Sequence, residues 1–196
     1  MNQALARTWV QTPTLSQNVS PNKRSPAQWF MYLLQLNRQG AGCLPHYLGL
    51  GRFEFDGVIL TLGTGADGLS EMQVNERAQL RQELLELRET EWQELQALLA
   101  HFCANAEVKM LHLDAIVAAG CLGGDHLWRD MGFTRRAELS DFMQQNFPAL
   151  AALNSQDMKW KKFLYKQLCE QGGSYVCRAP SCEQCTAFSD CFGREE

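Results

Sequence analysis

The chain has 196 residues and a formal net charge of −4, with 45% hydrophobic and 20% charged residues and a mean hydropathy of −0.29. One domain of this size buries about 70% of its unfolded surface; the composition is too apolar for a disordered chain and too polar for a membrane protein, and its acidic balance argues against a nucleic-acid partner, whose phosphates need a basic face. The abnormal number is eight cysteines, of which Cys177, Cys182, Cys185 and Cys191 crowd the C-terminus.

Residues 1–25 carry Gln, Asn, Thr, Ser and Pro where a signal peptide would have a positive start and an apolar run. No stretch of eighteen apolar residues follows anywhere. The expected location is therefore cytoplasmic, without a membrane partner. Clustered thiols there bind metal or react more often than they form disulfides.

In chain order, residues 1–25 read as a flexible N-terminal segment, polar and without periodicity. Ser25-Pro26 predicts a helix start, an N-cap residue followed by proline at the first helical position. Trp29, Phe30, Leu33, Leu34 and Leu36 supply its apolar face, and Gly40 stops it. Residues 40–51 form a turn-rich connector. Residues 52–62 alternate at Phe53 and Phe55 as a strand would and then run apolar from Val58 to Leu62. With no second strand for pairing, helix is the expectation. Gly63 to Gly68 is a loop without the Gly-Lys-Ser/Thr of a phosphate-binding loop.

From Asn75 the pattern is helical. Leu80, Leu84 and Leu87 make one stripe, and Trp92, Leu95, Leu98, Leu99 and Phe102 another. Capping-box spacing of Thr90 and Gln93 predicts two helices breaking near Arg88. Glu83, Glu86, Glu89, Glu91 and Glu94 read as a solvated or docking face. Val108 to Leu122 predicts an apolar helix ending at Gly123-Gly124; Thr134 to Phe147 and Gln156 to Glu170 predict two more. The fold expected is all-α: a single helical domain of about six helices over residues 26–170, then an irregular C-terminal metal-cluster-binding tail over 171–196.

The tail reads C-x4-C-x2-C-x5-C from Cys177 to Cys191. A two-residue spacer lets one turn of backbone aim two sulfurs at one centre. Structural zinc sites usually combine two such short pairs, and only one exists here. Wider spacing suits an iron–sulfur cluster, whose irons take separate thiolates, although the plant-type pattern places its fourth cysteine elsewhere. Zinc and free redox thiols remain alternatives. Phe188 and Phe192 flank the last cysteine, either shielding sulfur or packing on the core. Lys159, Lys161, Lys162 and Lys166 on the preceding helix either offset thiolate charge, attract an oxyanion or acidic partner, or form a solvated face. Cys43, Cys103, Cys121 and Cys169 sit singly, as buried small hydrophobes do. His112 lies among leucines as a packed helix residue. His126, at a helix boundary after Gly123-Gly124-Asp125, is read as a capping or packing residue with ligation as the rival. No catalytic constellation is distinguishable.

The segment from Cys121 resembles the NifQ family of nitrogen-fixation proteins. The resemblance rests on Cys121-Leu122, His126-Leu-Trp-Arg-Asp-Met-Gly-Phe133, Asn146-Phe-Pro148, Met158-Lys-Trp-Lys-Lys-Phe-Leu-Tyr165, Leu168-Cys169, and Cys177-Arg-Ala-Pro-Ser-Cys182 through Cys191-Phe-Gly193. Leu44-Pro45 to Gly49-Leu50 and the Arg88 to Leu99 helix fit too. The resemblance implies a non-enzymatic carrier of a molybdenum–iron–sulfur cluster, taking its metal from molybdate and supplying molybdenum to the scaffold proteins that assemble nitrogenase's iron–molybdenum cofactor. It implies Cys177, Cys182, Cys185 and Cys191 as cluster ligands; His126 matches a histidine in the family's His-Leu-Trp segment, and its role as an additional metal ligand is our own conjecture beside the resemblance. An iron–sulfur electron-transfer protein and a zinc-stabilised interaction module are the competing functions.

Overall fold

The computed structural model describes residues 23–63, 76–172, 185, 188–193 and 195. Among these residues there are eleven helices and no strand, which is the all-α class expected; four of the helices are one or two turns long.

Helix α1 (Pro26–Arg38) opens as its sequence dictates. Ser25 Oγ accepts the Gln28 backbone N–H at 3.2 Å, and the Gln28 side chain accepts that of Ser25 at 2.8 Å. Trp29, Phe30, Leu33, Leu34 and Leu36 are buried. Trp29 meets Phe142 edge-on at 5.3 Å, while its indole N–H donates to Gln145 at 3.2 Å. The chain is already fastened at Arg24, whose guanidinium lies over Trp29 and Tyr32.

Helix α2 (Arg52–Thr61) settles the ambiguous 52–62 segment as helix, burying Phe55, Val58 and Ile59. Between α1 and α2 the connector is held by Asn37, whose Nδ2 donates to the carbonyls of Leu44 and Pro45. Gly42 is obligatory there. Its φ is +74°, and a Cβ would lie 2.5 Å from both the Asp130 carbonyl oxygen and the Gly132 nitrogen. Of the loop expected at Gly63–Gly68, only Gly63 is among the described residues.

Helices α3 (Glu76–Leu87) and α4 (Glu89–His101) break at Arg88, as expected. The means differs from the capping box read in the sequence. Arg88 occupies the N-cap without a side-chain cap bond, and Gln93 donates to Glu89 instead. The Leu80, Leu84 and Leu87 stripe faces outward, Leu87 being 82% exposed, whereas Ala78 and Leu85 turn inward. The expected apolar helix over Val108–Leu122 is two, α5 (Ala106–Met110) and α6 (Leu113–Cys121). His112, expected within a helix, stands at the break with φ +51°. Every residue of α6 is buried, and it packs chiefly against α4, where the Trp92 indole donates to the Ala115 carbonyl at 3.2 Å.

Two short helices escaped the sequence pattern, α7 (Leu127–Asp130) and α9 (Pro148–Leu153). Helix α8 (Arg136–Asn146) matches its expectation. Helix α10 (Trp160–Glu170) starts later than Gln156, because Asn154 ties off a turn. Its side chain accepts the Met158 N–H and donates to the Met158 carbonyl, both at 2.9 Å. The tail is not wholly irregular: Phe188–Phe192 form a turn of helix, α11. About six helices was an undercount, because one-turn helices leave no measurable period.

Candidate functional site: the tail and its clasp

The last tail cysteine is fastened to the helical body through the backbone. The Lys159 N–H donates to the Cys191 carbonyl at 2.8 Å, and Lys159 Nζ donates to the Ser189 carbonyl at 3.4 Å. Phe188 stacks on Phe192 at 4.3 Å, and Phe192 and Cys191 rest against the core. Core packing is thus seen for Phe192, whereas Phe188 is half exposed and reaches the core only through its stack on Phe192. Cys185 is half-buried, its carbonyl accepting the Phe188 N–H at 3.2 Å. Cys177 and Cys182 lie outside the described residues. Among the described residues, no three His, Cys, Asp or Glu side chains converge as a metal site.

Lys159 is itself positioned by Arg136. That guanidinium donates to the Asp157 carboxylate at 2.7 Å and to the carbonyls of Asp157 and Met158, each at 3.2 Å. Asp157, held at φ +56°, thus becomes part of a rigid turn leading into α10. The hydrogen bond from Arg136 to Asp157 raises the arginine's pKa against the opposing effect of burial. The same guanidinium faces the end of the tail, its Nε lying 3.5 Å from Glu195 Oε2. His126 is the N-cap residue of α7, but its side chain does not cap. Its Nδ1 lies 3.8 Å from Glu195 Oε1. The histidine singled out in the sequence therefore stands beside the tail, and Glu195 and Arg136, which were not singled out, stand with it.

A second polar set lies next to this clasp. Lys161, expected on a charged outer face, is turned inward to pair with Asp130 and donates to the Gly123 carbonyl at 2.9 Å. Asp130 also accepts the Asp125 N–H at 3.0 Å, and its own carbonyl accepts the Cys43 N–H at 2.7 Å. A signal for this existed. Lys161 precedes Leu164 by three residues and Leu168 by seven, placing it on the buried stripe of α10. On the same helix Lys166 pairs with Glu170, and Lys162 is exposed.

Two members of the acidic run, Glu91 and Glu94, are half-buried. Glu91 takes two hydrogen bonds from Arg88, at 2.7 and 2.8 Å, and one from the Tyr165 hydroxyl. Burial, reinforced by that bond to Glu91, pushes the Tyr165 phenol up. Glu83, Glu86 and Glu89 are exposed.

Cys121 is buried; Cys43, Cys103 and Cys169 are half-buried. Burial pushes Cys121 up to about 12, and burial together with the adjacent Asp130 carboxylate pushes Cys43 to about 12. Both are neutral thiols at physiological pH, unsuited to nucleophilic attack. Cys103 is pushed to about 11, also by burial.

Fold and site together define an all-α protein whose C-terminal cysteines ride on a tail clasped to its helical body. The chain belongs to the NifQ family, which it matches over residues 29–193. It is 45% identical to "Protein NifQ" of Azotobacter vinelandii over 172 residues, 85% of this chain and 88% of that protein. It is 37% identical to "Protein NifQ" of Klebsiella pneumoniae over 171 residues, covering 85% and 98% respectively. A "Protein NifQ homolog" of Sinorhizobium fredii is 46% identical over 99 residues, half of this chain and 43% of that one. No solved structure matches. Membership of this family carries a role in nitrogen fixation, on the molybdenum side of nitrogenase. Among the described residues, no helix is long and apolar enough to cross a membrane.

Proposed function

We propose that the chain is a non-enzymatic metal carrier that takes molybdenum from molybdate and holds it in a molybdenum–iron–sulfur cluster. From there it would pass the metal to the scaffold proteins that assemble nitrogenase's iron–molybdenum cofactor. Cys177, Cys182, Cys185 and Cys191 are the cluster ligands in this reading. The donor set suits the cargo: thiolate and sulfide are the ligands of iron in such clusters, and molybdenum accepts oxygen or nitrogen donors as well. Transfer is ligand exchange between proteins, with no substrate turned over.

The observation that carries the reading is the placement of Cys191. Its backbone is held by Lys159 at the start of α10, while its side chain belongs to a one-turn helix at the surface. A carrier needs a site attached firmly enough to load and peripheral enough to unload. The test is anaerobic purification followed by iron, molybdenum and acid-labile sulfide analysis. The expected result is all three elements in the unsubstituted protein and loss of all three in Cys182→Ala; a Cys182→Ala protein with full iron and molybdenum overturns the assignment. Iron and sulfide without molybdenum would indicate an electron carrier, and zinc without sulfide an interaction module.

A further inference from the structure

A cavity of about 250 Å³ opens between α3, the α1–α2 connector and the end of α6, and two arginines but no carboxylate line it. The two guanidiniums differ in their commitments. Arg88 is spent on Glu91 and on the Leu122 carbonyl. Arg81 is half-buried and, among the described residues, has neither a hydrogen-bond nor an ion-pair partner. A cation partly withdrawn from water gains from any anion that reaches it. Its field is felt at Cys43, another lining residue, where it opposes the upward shift of the thiol. That thiol stays neutral, pushed up to about 12 by burial and the Asp130 carboxylate, so it does not repel an anion. The Asp130 charge is answered by Lys161, and Glu83 and Glu86 of α3 are exposed and lie outside the lining. The remaining polar wall is bare backbone. A Cβ at Gly123 would lie 2.4 Å from Cys43 Sγ, whereas one at Gly124 would meet nothing within 4 Å. The Gly124 N–H has no acceptor among the described residues.

An unpaired guanidinium, an unspent amide and the lack of any lining acid suit an anion. The guanidinium offers parallel N–H groups at the spacing of two oxygens on one centre, and the cavity has room for an ion of four oxygens with part of its hydration. We propose that this cavity reversibly binds a tetrahedral oxyanion of the molybdate class, with Arg81 as counter-charge and the Gly124 N–H as a donor at the rim. The choice of molybdate rests on the carrier reading; the binding itself needs neither cluster nor tail thiol, and no bond of the ion is broken. In a chain of net charge −4, a local positive field decides where an anion settles. The place also suits intake. The Gly123 carbonyl is held by Lys161, two residues along the chain from Lys159, whose N–H holds the Cys191 carbonyl. Cavity and tail attachment thus meet at the start of α10.

Equilibrium dialysis of the anaerobically purified full chain against molybdate tests this, at low ionic strength where screening is weak. Molybdenum is read by elemental analysis, as the gain over what the chain carried at the start. The unsubstituted chain, Arg81→Gln, Arg81→Lys and Cys182→Ala are compared, with helicity checked by circular dichroism. The expected result is saturable uptake of one molybdate per chain, weakened about tenfold or more in Arg81→Gln, as loss of a charged hydrogen bond requires. Arg81→Lys, which keeps the charge but not the fork, falls between, and both variants keep their helicity. Cys182→Ala takes up molybdate as the unsubstituted chain does. Equimolar sulfate competes less well than tungstate, which matches molybdate in size and charge. Equal uptake by Arg81→Gln and the unsubstituted chain overturns the proposal. So does uptake lost in Cys182→Ala, which would put the ion on the tail thiols. Sulfate competing as well as tungstate overturns molybdate as the ion the cavity serves. The carrier reading is judged separately, on the molybdenum held as purified: Arg81-dependent uptake by a chain purified without molybdenum upholds this site and overturns that reading.

Discussion

Replacing Lys161 by methionine tests the interior polar set most directly. Lys161 and Asp130 side chains are only 16% and 6% exposed, so solvent neither screens the pair nor rescues the member left behind. Removing one partner of a buried pair costs about 3–5 kcal/mol, because an uncompensated charge stays in the interior. Asp130 would keep the Asp125 N–H at 3.0 Å and the neighbouring Cys43 thiol, which places the expectation near the lower end, about 3 kcal/mol. The Gly123 carbonyl, an acceptor for the same ammonium, would lose its bond too. For a domain of this length about 3 kcal/mol lowers the melting temperature by about 6–12 °C, and the urea midpoint by about 1–2 M. The assay is urea unfolding followed by circular dichroism at 222 nm on metal-free protein. The second arm is Lys161→Met with Asp130→Asn, which removes the stranded charge and should recover at least half the loss. A single variant within 1 kcal/mol of the parent, or a double variant less stable than the single, would refute the argument that desolvated charge dominates this site.

Gly42→Ala and Gly40→Ala separate two costs of a glycine. Both have φ near +75°, but a Cβ at Gly40 meets nothing within 4 Å whereas one at Gly42 meets Asp130 and Gly132 backbone at 2.5 Å. Gly40→Ala should lose about 1–2 kcal/mol from the left-handed backbone alone and Gly42→Ala clearly more, measured as urea midpoints; equal losses would contradict the close approach. The buried thiols predict an alkaline weakness. Unfolded cysteines ionise near their ordinary value while Cys43 and Cys121 stay protonated up to about 12, so between about pH 9 and 12 the unfolded chain binds fewer protons and stability falls as pH rises. Unfolding midpoints from pH 8 to 11 should show that decline, and Cys43→Ala with Cys121→Ala should flatten it; identical slopes would count against it.

Where the sequence was readable, local chemistry made it so. Ser25, Pro26 and Gln28 form the capping arrangement that opens α1, and the Arg88 break matches a change of apolar face between α3 and α4. Where it misled, tertiary packing outweighed pattern. Leu80, Leu84 and Leu87 form a regular stripe, but the core reaches α3 from the side of Ala78 and Leu85. Residues 108–122 carry so few polar residues, Lys109, His112 and Asp114, that periodicity gives little contrast with which to mark the turn at His112. Spacing made the tail cysteines legible as a group, and the boundary position of His126 marked it for attention. Glu195 and Arg136 had no such signal. Each is an ordinary charged residue until the fold sets Arg136 against the Asp157 turn and Glu195 against Arg136. Lys161 was readable in principle, from its place on the inner stripe of α10.

The hydrogen bond from Cys43 to Asp130, the Asp130–Lys161 pair and the bond from Lys159 to Cys191 form a relay along the molecule. Its members come from the α1–α2 connector, α7, the start of α10 and the tail, so the tail is secured by residues drawn from almost the full length of the chain. The cysteine-bearing end is therefore no detachable module. A fragment beginning after α6 would keep every tail cysteine but strip Asp130 of its cover from Cys43 and Gly42. Transplanting the tail onto another scaffold would have to bring the Asp157 turn, Arg136 and the lysines of α10 with it. Any excision of the cysteine-bearing end that keeps these contacts has to carry the chain from the α1–α2 connector onward.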